Sequence, residues 1–284
     1  MEIRPNEPLK NHTTFGVGGC CRRFVIAEEE ELPPLLKEKH LILGNGSNLL
    51  VSSKGFDGDV IRLLAKEPVL QGNRIIFSAG QTLASAANFA QERGLSGMEC
   101  LHGIPGTVGG AAVMNAGAYG GELKDVLFSA KVMEKNGQIK EVRCQDLDLS
   151  YRHSVIPEKE WVVLSVTLEL EQGDPDRIRS RMEELMQRRL EKQPLDKKSA
   201  GSTFKRPPGH FAGKLIQEAG CMGLSVGGAA VSEKHAGFVI NRGDATAEDI
   251  YRLISLVRRR VKEQSGVDLE CEVKFIGDFS ECDL

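Results

Sequence analysis

Apolar residues recur at helical spacing in three segments of the chain. The three stripes consist of Leu83, Ala86, Ala87 and Ala90, of Ile178, Met182 and Leu185, and of Ile250, Leu253, Ile254, Val257 and Val261. Because positions three and four apart lie on one face of a helix, each stripe predicts an amphipathic helix with one buried face. We expect the first helix to end at Gly94 and the second to run from Asp174 to Gln193. Thr246 is the expected cap of the third.

Shorter apolar runs lie around these segments and predict strands. They read RRFVIA at 22–27, HLILG at 40–44, DVIRLL at 59–64, RIIFSAG at 74–80, WVVLSVTLEL at 161–170, AAV at 229–231 and HAGFVIN at 235–241. Asn136 and Gly137 separate two alternating runs, which predicts a two-residue hairpin turn. The segment LECEVKFIG alternates apolar and polar residues and predicts a strand with Glu272 on its polar face. In EEEELPPLLKEK we expect a helix that is broken near Pro33 and Pro34.

The overall composition is that of an ordinary folded chain and adds little about partners. Of 284 residues, 40% are hydrophobic and 27% are charged, and the formal net charge is −3. This balance disfavours disorder and gives no general attraction to nucleic acid or to acidic lipid. No apolar run is long enough to cross a bilayer, and the charged N-terminal segment lacks the apolar core of a signal peptide. We therefore expect a soluble intracellular chain with no nucleic-acid partner and no membrane insertion.

Seven cysteines are spread along the chain without a CxxC spacing. An odd number without paired spacing argues against a disulfide framework and against a structural zinc site. We expect free thiols in a reducing cytoplasm and no bound metal.

Glycine is concentrated in two loops that each follow an apolar stretch. The first reads LGNGSNLLV and the second reads GIPGTVGGAAVMNAGAYG. The usual nucleotide fingerprints fail, because GNGSNL lacks the third glycine of GxGxxG and GHFAGKL is one residue short of a P-loop. Glycine lets backbone N–H groups approach phosphate oxygens, so the two loops predict a site for a long diphosphate ligand. From the glycine count alone, tight turns in a β-rich domain explain the loops equally well.

Seven motifs occur in an order and spacing that resemble the UDP-N-acetylenolpyruvoylglucosamine reductase family. They are NHTTFGVGG, ILGNGSNLLVS, GIPGTVGGAAVMNAGAYGGE, SYRHS, AGSTFK, VGGAAVSEKHAGFVIN and LECEVKFIG, and they extend from Asn11 to Gly277. The resemblance implies an α+β fold, with two FAD-binding subdomains of the vanillyl-alcohol-oxidase (PCMH) type and a C-terminal α+β substrate-binding domain. We expect the first subdomain at 1–65, joined by 273–284, the second at 66–194, and the substrate-binding domain at 195–272.

The resemblance implies an FAD-dependent oxidoreductase, a UDP-N-acetylmuramate dehydrogenase. Such an enzyme binds FAD non-covalently, takes hydride from NADPH, and reduces the enolpyruvyl group of UDP-N-acetylglucosamine enolpyruvate to UDP-N-acetylmuramate. This product is a peptidoglycan precursor, so a cytoplasmic role in cell wall biogenesis, cell shape and cell division is implied. The UDP-sugar enolpyruvyl ether is the expected partner, and no obligate protein partner is evident.

The implied reduction needs a proton donor and groups that stabilise charge on the substrate carboxylate. By motif position, the resemblance assigns proton donation to Ser202 and carboxylate pairing to Arg152, and it makes Glu272 the third catalytic residue. A serine hydroxyl is a weak acid, so Ser202 needs a nearby cation or a proton relay, and Lys205 is near in sequence. Without the resemblance, a serine in a turn, an arginine in a surface ion pair and a solvent-exposed glutamate explain the same residues.

The resemblance also assigns the cofactor-binding and substrate-binding residues. The cofactor-binding residues are Gly44, Asn45, Gly46, Ser47 and Asn48 in the first loop and Ile104, Pro105, Gly106, Thr107, Gly109, Gly110, Asn115 and Gly117 in the second. In the basic stretch after the second predicted helix, Lys192, Lys205 and Arg206 are expected to meet the UDP pyrophosphate, with a solvated linker as the alternative. Tyr119 either stacks on a ligand or is a buried structural residue.

The chain departs from the family pattern in two places. The strand WVVLSVTLEL leads quickly into the following helix, without the insertion that carries a tyrosine over the nucleotide in longer members, so the shorter subtype is implied. Met222 occupies a position that is often lysine. Two other functions stay open at this point. One is another FAD-dependent oxidase or dehydrogenase of the same fold, for which His12, His102 and His153 are nearest the flavin motifs for covalent attachment. The other is a non-catalytic flavin electron-transfer subunit.

Overall fold

The structure is a computed structural model, and it describes residues 1–282. Within this range the α-helices are α1 (Leu32–Leu35), α2 (Leu83–Gln91), α3 (Val108–Met114), α4 (Pro175–Lys192), α5 (Ala212–Glu218) and α6 (Ala247–Ser265). The strands are β1 (Glu2–Pro5), β2 (Cys21–Ala27), β3 (His40–Ile42), β4 (Leu49–Val51), β5 (Phe56–Leu63), β6 (Val69–Gln71), β7 (Arg74–Ser78), β8 (Leu95–Ser96), β9 (Gly117–Ala118), β10 (Gly121–Glu122), β11 (Leu127–Met133), β12 (Ile139–Arg143), β13 (Val162–Glu169), β14 (Glu171–Gln172), β15 (Ser225–Val226), β16 (Ala229–Val231), β17 (Val239–Asn241) and β18 (Lys274–Ile276).

The chain forms two compact units, each built from segments that are separate in sequence. The first unit consists of residues 1–4, 24–45 and 58–189. The second unit consists of residues 5–23, 46–57 and 190–284. The finer three-part division expected from the sequence stays a prediction. Across residues 1–282, no helix combines the length and the apolar character that a bilayer crossing requires.

A five-stranded antiparallel sheet is the centre of the first unit. Its strand order is β12-β11-β13-β7-β6. Ile75 and Phe77 point into the core because they alternate along β7. The predicted helix α2 packs there through its apolar stripe, all of which is buried: Leu83, Ala86, Ala87 and Ala90. The shorter helix α3 reaches the same core through Val108, Ala111 and Ala112.

The second predicted helix, α4, also begins and ends as the sequence indicates. Asp174 caps its first turn by accepting hydrogen bonds of 3.0 Å from the N–H groups of Asp176 and Arg177. Its stripe is buried, comprising Ile178, Met182 and Leu185. Only β14 lies between β13 and this helix, so no insertion separates them.

In the second unit, helix α6 covers the antiparallel sheet β15-β16-β17. Thr246 and Asp249 form a capping box in which each side chain accepts a hydrogen bond from the backbone N–H of the other. All five residues of the predicted stripe are buried: Ile250, Leu253, Ile254, Val257 and Val261. A separate parallel pair joins β4 to β18.

The hairpin between β11 and β12 forms as predicted, but its turn differs. Glu134 and Gln138 form a backbone hydrogen bond, so three residues lie in the turn between them. Within this turn, the N–H of Gly137 donates to the Glu134 carbonyl at 2.8 Å. Gly137 has a φ of +86°, whereas Asn136 stays outside the left-handed region. The predicted two-residue turn is therefore wrong, because three residues separate the pair and the type I′ turn favoured by Asn-Gly needs positive φ at both central residues. The Asn136 side chain instead accepts the N–H of Gln138 at 2.8 Å.

Two further predictions need correction. Pro33 and Pro34 lie within the first turn of α1 rather than breaking a helix, because the first turn needs no intrahelical N–H donors. The predicted strand around Glu272 is reduced to β18, which begins two residues later. Cys271 pairs instead with Phe204 in an isolated antiparallel bridge.

Candidate active site

The predicted site residues are divided between the two units. The first unit contains Gly44, Asn45, Ile104, Pro105, Gly106, Thr107, Gly109, Gly110, Asn115, Gly117 and Arg152, and the second contains Gly46, Ser47, Asn48, Lys192, Ser202, Lys205, Arg206 and Glu272. The boundary between the units therefore falls inside the first glycine loop.

The beginning of the first glycine loop lies against the second glycine loop in the first unit. A Cβ on Gly44 would lie 2.6 Å from Oγ1 of Thr107, so the close approach requires glycine. The Asn45 side chain donates to the carbonyl oxygen of Pro105 at 3.4 Å. The Arg62 guanidinium donates to the carbonyl oxygen of Gly44 at 3.0 Å. The structure thus brings together residues from both predicted cofactor loops.

The second loop continues into α3 and satisfies much of its own backbone. Thr107 caps the helix by accepting the N–H of Gly110 at 3.2 Å. The N–H groups of Gly106, Val108 and Gly109 donate to backbone carbonyls of the first unit at 2.8 or 2.9 Å. Because these four N–H groups have acceptors within the protein, the predicted approach of bare amides to a cofactor is not supported at these positions. A cofactor would therefore have to contact other groups of the second loop.

Two buried polar atoms beside the second loop have no hydrogen-bond partner among residues 1–282. They are Oε1 of Gln81 and Nδ1 of His102. The backbone carbonyl of Gln81 accepts the N–H of Val108, and His102 directly precedes Gly103 in the chain. Buried polar atoms are rarely left unpaired, so we expect an ordered water or a ligand group to pair with each of them. Burial lowers the pKa of His102, and the nearby charge of Arg189 lowers it further. No motif in the sequence pointed to Gln81.

The end of the first glycine loop contacts the segment that carries Glu272. Gly46 has a φ of +61°, and a Cβ there would overlap the carbonyl oxygen of His12. The Asn48 side chain donates to the backbone carbonyl of Glu272 at 3.1 Å. The Asn48 carbonyl accepts the N–H of Lys274 at 3.0 Å. A predicted cofactor-binding residue therefore fixes the backbone of a predicted catalytic residue.

Ser202 and Glu272 lie on two segments that pair with each other in the second unit. The N–H of Glu272 donates to the carbonyl of Thr203, the neighbour of Ser202, at 2.8 Å. Thr203 is buried, and its hydroxyl accepts the N–H of Val239 at 3.1 Å. Ser202 is exposed and Glu272 is half-buried. The structure thus brings these two predicted catalytic residues to one pair of extended segments.

The predicted cations of the second unit are partly engaged within that unit. The Lys205 ammonium lies 2.6 Å from Oε1 of Glu270, so a carboxylate compensates its charge. The Arg206 guanidinium lies 4.7 Å from the centre of the Phe211 ring. Lys192 is exposed at the end of α4.

Arg152 occupies a tight turn of the first unit. Ser150 and His153 close this turn with two backbone hydrogen bonds of 3.1 and 3.3 Å. Arg152 itself has a φ of +56°. A bulky residue in the left-handed region is strained, and such residues cluster at functional sites. Nη2 of Arg152 donates to the carbonyl of Gly117 at 3.1 Å, which joins two predicted site residues.

Gly117 belongs to the short hairpin of β9 and β10. The turn residues Tyr119 and Gly120 have φ values of +54° and +89°, as a type I′ turn requires. The Tyr119 side chain is 39% exposed, which excludes the alternative that it is a buried structural residue. Glu122 on the opposite strand pairs with Lys124 at 2.8 Å, and this ion pair lowers the pKa of the Glu122 carboxyl.

All seven cysteines of the chain are free thiols. Among the described residues, 1–282, no three His, Cys, Asp or Glu side chains converge as ligands for a metal ion.

Two protein families match separate parts of this chain. Residues 35–143 match the FAD binding domain family, and residues 193–276 match the family described as UDP-N-acetylenolpyruvoylglucosamine reductase, C-terminal domain. The chain is thus an FAD-dependent oxidoreductase with a PCMH-type cofactor fold and a C-terminal α+β domain.

Several known reductases are similar to this chain over nearly its full length. The UDP-N-acetylenolpyruvoylglucosamine reductase of Caldanaerobacter subterraneus subsp. tengcongensis is 49% identical over 96% of this chain and 93% of its own. That of Agathobacter rectalis is 49% identical over 98% of this chain and 95% of its own. The crystal structure of the Thermus caldophilus reductase is 38% identical, with a TM-score of 0.86 over 97% of this chain and 98% of that one. The chain belongs to the UDP-N-acetylenolpyruvoylglucosamine reductase family.

Proposed function

We propose that this chain reduces the enolpyruvyl group of UDP-N-acetylglucosamine enolpyruvate to UDP-N-acetylmuramate, using FAD and NADPH, in the synthesis of a peptidoglycan precursor. The observation that carries the proposal is the 49% identity to a reductase over 96% of the chain. This identity extends through the C-terminal domain match as well as the FAD-binding match. An unrelated flavin oxidase would share the cofactor domain alone.

The residues of the first unit fit a bound FAD. The two glycine loops approach each other closely at Gly44 and Thr107, and the unpaired atoms of Gln81 and His102 lie beside the second loop. FAD carries both hydrogen-bond donors and hydrogen-bond acceptors, which the unpaired atoms of Gln81 and His102 need. When bound, FAD supplies hydride transfer from NADPH to the enolpyruvyl β-carbon. We propose that it is held non-covalently.

Arg152 is proposed to pair with the substrate carboxylate. Its planar guanidinium forms two parallel hydrogen bonds with a carboxylate, which a lysine does not. Hydride addition to the β-carbon leaves an electron pair on the α-carbon, and that charge spreads into the carboxylate. A fixed cation at this position stabilises the charge as it develops. The contact with the Gly117 carbonyl orients the guanidinium before substrate binds.

Ser202 is proposed to give the proton to the substrate α-carbon. Its side chain is exposed, while buried Thr203 anchors its backbone. The proton leaves the Ser202 hydroxyl as the electron pair of the enolate forms the new C–H bond. Glu272 is the third proposed catalytic residue, and its backbone pairs with the Ser202 segment. Because Lys205 is paired with Glu270, it is a weaker candidate for acidifying the serine.

The finer assignments follow from the same proposal. Lys192, Lys205 and Arg206 are proposed to bind the UDP pyrophosphate, with Lys205 exchanging its carboxylate partner for phosphate. The seven free thiols suit a reducing compartment, and we propose a cytoplasmic location. The division into two FAD-binding subdomains and a substrate-binding domain is retained as part of the proposal, as are roles in cell shape and cell division.

Steady-state turnover tests the proposed function. We expect the purified yellow protein to oxidise NADPH rapidly only when UDP-N-acetylglucosamine enolpyruvate is present, and mass spectrometry to identify UDP-N-acetylmuramate. NADPH oxidation that is independent of the UDP-sugar, with no gain of two hydrogens in it, would contradict the proposal.

A further inference from the structure

Asn115 was predicted to bind the cofactor, but its side chain is enclosed by protein. The residue is 0% exposed and lies at the C-terminal cap of α3, with a φ of +41°. Its Nδ2 donates to the Glu122 carboxylate at 3.0 Å and to the Ser150 carbonyl at 3.1 Å. Its Oδ1 accepts the N–H of Lys124 at 3.0 Å. Both amide donors and the amide acceptor are therefore occupied by protein groups.

One of these partners belongs to the turn that carries Arg152. Ser150 forms one side of that turn, and Asn115 fixes its carbonyl. The other side is fixed by Ser154, whose hydroxyl donates to the carbonyl of Val113 at 2.7 Å. Both anchors thus come from the C-terminal end of α3.

The other end of α3 is the second glycine loop. The helix begins after its cap, Thr107, and has seven residues, so it is about 10 Å long. A short helix that is packed into the core is a rigid spacer. It therefore sets the distance between the loop predicted to hold FAD and the turn that presents the guanidinium.

We propose that Asn115 is a positioning residue for Arg152 and not a ligand of the cofactor. Its carboxamide joins the arginine turn to the Glu122 strand of the β9–β10 hairpin, whose Gly117 carbonyl accepts a hydrogen bond from Arg152. The left-handed backbone at Asn115 suits this role, because asparagine tolerates that conformation better than other side chains. The inference rests on the proposed role of Arg152 in binding the substrate carboxylate.

Asn115→Gly is the most direct variant, because glycine keeps the left-handed backbone and removes only the carboxamide. We expect normal FAD content and a rate of flavin reduction by NADPH within about twofold of the parent. We expect kcat/KM for UDP-N-acetylglucosamine enolpyruvate to fall by up to about 10²-fold, as misplacement of a catalytic group does. Loss of FAD binding would instead mark Asn115 as a cofactor ligand and overturn the proposal.

Gln91→Ala is the matched control for loss of a buried carboxamide in the first unit. Gln91 is 5% exposed, and its side chain donates to the carbonyl of Pro175 at 3.0 Å, away from the arginine turn. We expect this variant to lose thermal stability without a selective loss of UDP-sugar turnover. An equal and selective loss of UDP-sugar turnover in Asn115→Gly and Gln91→Ala would contradict a specific role for Asn115.

A double-mutant cycle with Arg152→Ala separates positioning from a general structural effect. If Asn115 acts through Arg152, adding Asn115→Gly to Arg152→Ala should lower kcat/KM for the UDP-sugar no further. Multiplicative losses would overturn the proposal. Should Asn115→Gly fail to fold, Ser154→Ala removes the other anchor and enters the same cycle. A normal Arg152→Ala enzyme would refute the proposed role of Arg152, whereas a defective Arg152→Ala with a normal Asn115→Gly would refute the present inference alone.

Discussion

Several residues of the first unit near the predicted site have left-handed backbones or unpaired buried polar atoms. Arg152 and Tyr119 have positive φ, which costs energy for side chains of this size. Gln81 and His102 each leave a buried polar atom without a partner. These features are concentrated around the second glycine loop and its hairpin, where the motifs also predict function.

Ser202→Ala removes the proposed proton donor. Because a positioned general acid contributes about 10² to 10⁴ in rate, we expect turnover of the UDP-sugar to fall by that factor. Flavin reduction by NADPH should persist at the parent rate, since it needs no proton from this group. Stopped-flow absorbance and steady-state assays measure the two quantities. Ser225→Ala, at another exposed serine of the second unit, is the control, and near-parent turnover of Ser202→Ala would reject the assignment.

Arg152→Lys keeps the charge but loses the planar pair of donors. A hydrogen bond to a charged group contributes roughly 1.5–3 kcal/mol, so we expect kcat/KM for the UDP-sugar to fall by about tenfold or more. The protein should stay yellow. Arg179→Lys, at an exposed position on α4, is the control for the same exchange. Parent-like kinetics in Arg152→Lys would indicate a surface role for the arginine.

The sequence identified the candidate catalytic residues but not the residues that position them. Short motifs point to Arg152, Ser202 and Glu272 because the family pattern is local in sequence. The burial of Asn115 could not be predicted, because an asparagine inside a glycine-rich loop carries no sign of it. Its partners lie up to 35 residues away along the chain, and only the fold brings them together.

Among the secondary-structure elements, α3 links the second glycine loop to the turn that carries Arg152. Its packing explains one of its glycines. A Cβ on Gly109 would lie 2.7 Å from Cβ of Ala79, whereas a Cβ on Gly110 would meet only Oγ1 of Thr107 at 3.4 Å. The two adjacent glycines thus face different surroundings.

Gly109→Ala and Gly110→Ala should therefore have different effects on stability. We expect Gly109→Ala to lower the free energy of unfolding by about 1–3 kcal/mol, because the helix must move away from its neighbour. Gly110→Ala should be neutral or stabilising by up to about 1 kcal/mol, because alanine favours the helix. Urea unfolding at matched FAD concentrations measures both values. Equal losses in the two variants would show that the contact with Ala79 does not explain Gly109.

Elements with a long periodic stripe could be predicted, and short irregular ones could not. Helices α2, α4 and α6 each bury the face that the sequence marked. The turn at Asn136 and the hairpin β9–β10 depend on which φ each residue adopts once its strands pair. Strand β18 is shorter than its alternation suggests because the segment before it pairs with residues 203–205.

In the molecule as a whole, each unit contains a partly buried histidine with a lowered pKa. Burial lowers the pKa of His102 in the first unit and of His235 in the second. Nδ1 of His235 accepts the N–H of Gly237 at 3.1 Å, which a protonated ring does not do. At these two histidines, the unfolded chain therefore binds a proton more readily than the folded chain does.

Stability should accordingly decrease as pH falls. A histidine with a lowered folded pKa contributes fully above its unfolded pKa, about 6.5, and loses that contribution as pH drops toward the folded pKa. We expect Tm to fall between pH 7.5 and pH 5.5, in the range around that unfolded value. His235→Gln, which cannot titrate, should lose less Tm over this range than the parent. Identical pH dependence in the two proteins would contradict the role given to His235.

We expect the chain to pass hydride from NADPH through FAD to the UDP-sugar and to complete the reaction with its own proton donor. The most direct measurement mixes NADPH-reduced protein anaerobically with UDP-N-acetylglucosamine enolpyruvate and follows the visible flavin absorbance. We predict that the absorbance returns in a single turnover, with one UDP-N-acetylmuramate formed per flavin. Reduced flavin that stays bleached in the presence of this substrate would contradict the account.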